Sequence, residues 1–126
     1  MGKFVKKMRR GFTLVEIMIV VLIIGVLLAI AVPNFIKARE TSRTKSCVAN
    51  LKQIDSAKEQ WAMDNKKTSA DTPTATDLYG TDKYVKSTPA CPSSGTYTIA
   101  AIGTAPTCNK GNNGTAADAS DDHILP

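Results

Sequence analysis

A chain of 126 residues, 43% of them hydrophobic, has room for one small domain beside a membrane segment. The net charge of +5 suggests an anionic partner, but Lys3, Lys6, Lys7, Arg9 and Arg10 place five of the sixteen basic residues before Gly11. The remaining eleven face eleven acidic residues, so the body is neutral, and strong nucleic-acid binding, which needs clustered cations, is not expected.

The basic residues precede an apolar run, GFTLVEIMIVVLIIGVLLAIAVP. Residues 12–32 as a helix cover roughly the 30 Å of a bilayer's hydrocarbon layer. The upstream charges predict a cytoplasmic amino end and an exported remainder, although Lys37, Arg39, Arg43 and Lys45 flank the far end. An ordinary signal peptide is the alternative, since Ala29-Ile30-Ala31 has the small-x-small cleavage pattern. Against it stand Glu16 and the uncharged run over residues 17–32, longer than the roughly 7–15 residues of a signal h-region.

A carboxylate inside a spanning helix costs about 3 kcal/mol, so Glu16 calls for a partner. Cleavage between Gly11 and Phe12 creates one: an amino group four residues earlier, on the same helix face. Gly11 suits a scissile position, having poor helix propensity and no side chain. Gly25 permits close helix approach. Pro33 cannot donate to the carbonyl of Ala29, which predicts a bend or local melting before it.

The stretch Gly11-Phe12-Thr13-Leu14-Val15-Glu16, with its basic leader and an apolar helix reaching Pro33, resembles the processing signal of type IV pilins and type II secretion pseudopilins. The resemblance implies removal of leader 1–11 by a membrane-embedded prepilin peptidase and methylation of the Phe12 amine. It further implies that Glu16 neutralises a neighbouring subunit's amine as the chain polymerises with itself, served by an inner-membrane assembly platform and ATPase machinery. The implied fold is α+β: residues 12–33 form the transmembrane and assembly helix, residues 34–65 its amphipathic continuation, and residues 66–126 a small head with a β-hairpin. A secretion pseudopilin, and a membrane-anchored monomeric receptor or minor pilin, are the alternatives.

In the continuation, Cys47, Val48, Leu51, Ile54, Ala57, Trp61 and Ala62 recur at steps of three and four, predicting a stripe buried against a sheet. Lys52, Asp55, Glu59 and Lys66 face water, and Glu40 and Arg43 are spaced to pair. Residues 65–76 read as a loop, and residues 76–79 as a capped turn ended by Gly80. Residues 83–86 form a short strand candidate. Tyr97, Ile99 and Ala101 alternate with Thr96, Thr98 and Ala100 as a half-buried strand, Gly103 turns, and residues 105–109 return antiparallel. Such a hairpin brings Cys91 towards Cys108, and a disulfide there contributes roughly 3 kcal/mol in an exported chain, with Cys47 left as a packed thiol; pairing of Cys47 with either other cysteine is the alternative.

The tail carries Asp118, Asp121 and Asp122, weak calcium candidates without a recognisable loop pattern, and the sequon Asn113-Gly114-Thr115. No cofactor is otherwise expected. Zinc is not expected either, because the cysteine spacings are long and His123 is the single histidine. Residues 123–126 can add an edge strand. One histidine, no nucleophile motif and no phosphate loop argue against an enzyme.

Overall fold

The computed structural model describes Gly2, residues 10–110 and residues 123–125, and it divides into two compact units, residues 1–36 and 37–126. In chain order the elements are α1 (Leu14–Asp64), α2 (Ala75–Leu78), β1 (Tyr97–Thr98) and β2 (Thr107–Cys108). The α+β class follows: one long helix and a two-stranded antiparallel sheet.

In the first unit, every residue from Phe12 to Ile36 is exposed, and α1 is long and apolar enough to cross a membrane. The expected melting before Pro33 is absent, and the backbone stays helical through it. Proline deletes a single donor, and the Asn34 side-chain amide donates to the carbonyl of Ile30 at 3.4 Å within the same turn.

In the second unit, Cys47, Leu51, Ile54, Ala57 and Ala62 are buried and Val48 and Trp61 half-buried, as the three-four spacing requires. Two clusters result. Cys47 and Leu51 pack with Cys91 and Cys108, while Ile54 and Ala57 pack with Leu78 and Val85, and Tyr97 touches both. Leu51, Ile54 and Leu78 are fully buried, each removal from water contributing about 1.5–3 kcal/mol. Lys58, also fully buried, donates to the carbonyl of Thr104 and lies 3.6 Å from Asp55. Arg43 and Glu40 pair at 2.9 Å.

Helix α2 starts earlier than expected. Thr74 is its N-cap, and the Asp77 carboxylate accepts the Thr74 N–H at 2.8 Å and its hydroxyl at 2.6 Å. Gly80, at φ +153°, follows. The candidate strand at residues 83–86 reduces to a parallel bridge between Tyr79 and Val85. The hairpin forms with Tyr97 opposite Cys108 and Thr98 opposite Thr107, but its ladder is short. Ala100 at φ +49° turns the first strand away, and Pro106 has no N–H to give the second. The hairpin tip docks instead on the preceding loop, Ile102 N–H to Asp71 O and Gly103 N–H to Ser69 O, both 3.0 Å. The approach is close: a Cβ at Gly103 would lie 3.2 Å from that of Ser69. Among the described residues, 123–125 form no edge strand, and Leu125 packs on the Cys47 cluster. Buried side chains, rather than backbone pairing, hold this segment in place.

Candidate processing and assembly site

Two residues set where α1 begins. Thr13 Oγ1 accepts the Glu16 N–H at 3.2 Å and the Thr13 carbonyl accepts the Ile17 N–H at 3.3 Å, so Thr13 takes the N-cap place. In the uncut chain Phe12 therefore lies before the helix, not on its first turn. The Gly11 and Phe12 backbone is outside regular structure and both residues are exposed. Thr13-x-x-Glu16 has the spacing of a capping box, a signal in the sequence that the charge of Glu16 overshadowed.

Glu16 is exposed in the first helical turn, where a carboxylate is favoured by the helix dipole. Its neighbours Val15, Ile17 and Met18 are apolar and exposed too. A Cβ built at Gly25 meets nothing within 4 Å, so no neighbour in its own chain demands a glycine there.

The second unit brings Cys91 and Cys108 together, Sγ to Sγ 3.8 Å, as thiols. Cys47 belongs to the same group, its Sγ 3.7 Å from that of Cys91. So does His123, whose Nδ1 is 3.7 Å from Cys91 Sγ and whose Nε2 is 3.3 Å from Thr44 Oγ1. All four are buried. Burial pushes the Cys47 thiol up to about 12. Burial also acts upward on Cys91, but the N–H groups of Ser93 and Gly95 and the thiols of Cys47 and Cys108 outweigh it, and its pKa falls below the ordinary thiol value. Gly95 has to be glycine: a Cβ would sit 2.6 Å from Cys108 Sγ. No local pattern announced this group, whose members are 44, 17 and 15 positions apart along the chain. Asp118, Asp121, Asp122 and the sequon lie outside the described residues.

A family model described as the prokaryotic N-terminal methylation motif matches residues 6–32. The chain is 52% identical over 52 residues to the type IV major pilin protein PilA of Myxococcus xanthus, covering 41% of this chain and 24% of that protein's length. It is 31% identical over 103 residues to the type II secretion system core protein G of Escherichia coli, 72% of this chain and 71% of that one. It is 35% identical over 83 residues to the competence protein ComGC of Bacillus subtilis, 66% of this chain and 81% of that one. No solved structure matches. With a methylation motif over the capped helix start and two relatives matched through most of their length, the chain belongs to the family of type IV pilins and type II secretion pseudopilins.

Proposed function

We propose that this pilin-family chain is the structural subunit of a type IV pilus-like filament, cut after Gly11 by a prepilin peptidase and methylated on the Phe12 amine. The observation that carries the reading is the juxtaposition at the amino end: an exposed Gly11-Phe12 bond outside regular structure, a capped helix start, and Glu16 within an exposed apolar helix. The apolar helix anchors the precursor in the inner membrane. In the filament, copies of this helix bundle, and Glu16 of one subunit pairs with the new amine of the next. Gly25, with open space around it, lets a neighbouring helix come close. An assembly platform and its ATPase supply the work of extraction. The role is mechanical, not enzymatic.

A secretion pseudopilus is the second reading, favoured by the match to Escherichia coli protein G, which runs past the apolar helix into the head. Neighbouring genes for a secretin-based secretion set would select it, and a retraction ATPase would select the pilus.

The test is the intact mass of the protein from its own cells, together with electron microscopy of Glu16→Ala. The expected result is a chain starting at Phe12 with one added methyl group, and a variant that inserts normally but forms few fibres. A chain retaining its basic leader, a start at Val32, or abundant fibres from Glu16→Ala would overturn the proposal.

A further inference from the structure

The thiol and imidazole group in the head is not needed for processing or helix bundling. We propose that Cys47, Cys91, Cys108 and His123 form a closed, structural site for a divalent zinc ion. Zinc held by thiolates at about 2.3 Å and an imidazole at about 2.0 Å in a tetrahedron requires ligand atoms about 3.5–3.8 Å apart. The distances from Cys91 Sγ to Cys47 Sγ, Cys108 Sγ and His123 Nδ1 are 3.7, 3.8 and 3.7 Å. All four ligand atoms lie within 4.8 Å of one another, so small side-chain shifts close the remaining edges.

The surroundings orient the imidazole as a metal needs it. Thr44 spends its single hydroxyl proton on the carbonyl of Glu40, at 3.1 Å, so its oxygen faces His123 as an acceptor. His123 then carries its proton on Nε2, which leaves the Nδ1 lone pair directed at the sulfurs. This is how a metal-binding imidazole is usually oriented from behind. Soft sulfur and imidazole donors select zinc over calcium or magnesium, and burial of all four residues leaves no open position for substrate.

A Cys91 to Cys108 disulfide uses two of these groups and gives no role to the buried Cys47 thiol or the oriented ring. A metal uses all four and ties together four separate places: α1, the turn after Cys91, β2 and the carboxy-terminal segment. In a head whose regular sheet is two residues deep on each strand, that cross-link supplies cohesion its small core lacks.

The experiment is elemental analysis and intact mass of the full chain, extracted from membranes in detergent without chelator, followed by cobalt substitution. The expected result is one zinc per chain, three cysteines in the thiol state by mass, and a cobalt spectrum with thiolate charge-transfer and tetrahedral ligand-field bands. Cys47→Ser and His123→Gln should each lose the metal, and Thr44→Val should weaken binding about 10–100-fold. Helical content by circular dichroism confirms that each variant is folded, and the wild-type cobalt spectrum stands even where one is not. Metal-free protein with a Cys91 to Cys108 disulfide overturns the proposal, as does stoichiometric zinc that survives both Cys47→Ser and His123→Gln.

Discussion

Replacing Thr13 by valine keeps the shape of the side chain and removes the oxygen that accepts the Glu16 N–H. The helix start should lose about 1 kcal/mol, read as faster amide exchange at Glu16 in detergent micelles, with residues further along α1 unaffected. Gly95→Ala tests the other crowded point. Its methyl group would meet Cys108 Sγ at 2.6 Å and Asn109 Oδ1 at 3.0 Å, so the head should lose about 1–3 kcal/mol, measured by denaturant titration. The two positions differ in how openly they were written. Thr13 and Glu16 carry a recognisable spacing within four residues. Gly95 and His123 carry none, because what fixes them is a sulfur atom delivered by distant parts of the chain.

At the level of elements, α1 was legible from its periodicity alone: the three-four stripe named Cys47, Leu51, Ile54 and Ala57, and all are buried. The stripe also contains Thr44 and Lys58, which polarity hid. Their burial depends on partners outside the helix, His123 for one and the Thr104 carbonyl for the other. The strands were legible by alternation but not by length, since a left-handed Ala100 and a donorless Pro106 cut the ladder. Leu51→Ala should cost about 2–5 kcal/mol in head stability by thermal or denaturant unfolding. A pH dependence belongs to the loop between α1 and β1. Hydrogen bonds from the Thr68 and Thr74 groups hold the Asp71 and Asp77 carboxyls below their usual pKa of 3.8. A lowered carboxyl pKa stabilises the fold above the unfolded value, and that stabilisation is lost as pH falls through the folded one. Unfolding curves should therefore show the loop weakening below pH 3.8, and Asp77→Asn should flatten part of that dependence.

For the whole molecule, the two units have opposite logic. The second buries what it can, whereas the first keeps its apolar side chains, from Phe12 through Ile36, without cover from its own chain. In the proposed assembly, membrane lipid covers them first and other copies afterwards. Gly25→Leu should leave the head's unfolding curve unchanged and reduce fibre number by electron microscopy, because a Cβ there meets nothing within 4 Å among the described residues and a neighbouring helix would have to yield. The family was readable from six residues and a leader. The gathering of cysteines was not, because it needs the hairpin, the helix and the last residues to be in place together.

The helix cap at Thr13 has one more consequence. Because α1 opens just after it, the ammonium that the proposed cleavage would create at Phe12 would stand at the positive pole of that helix, where cations are disfavoured by about 0.3–1 kcal/mol. Under the proposed assembly, a solitary processed subunit would hold a small electrostatic grievance, which a carboxylate from next door would resolve. Fibre growth, on this account, is drawn forward by the discomfort of its newest end, and a chain returned to the bilayer takes that discomfort back.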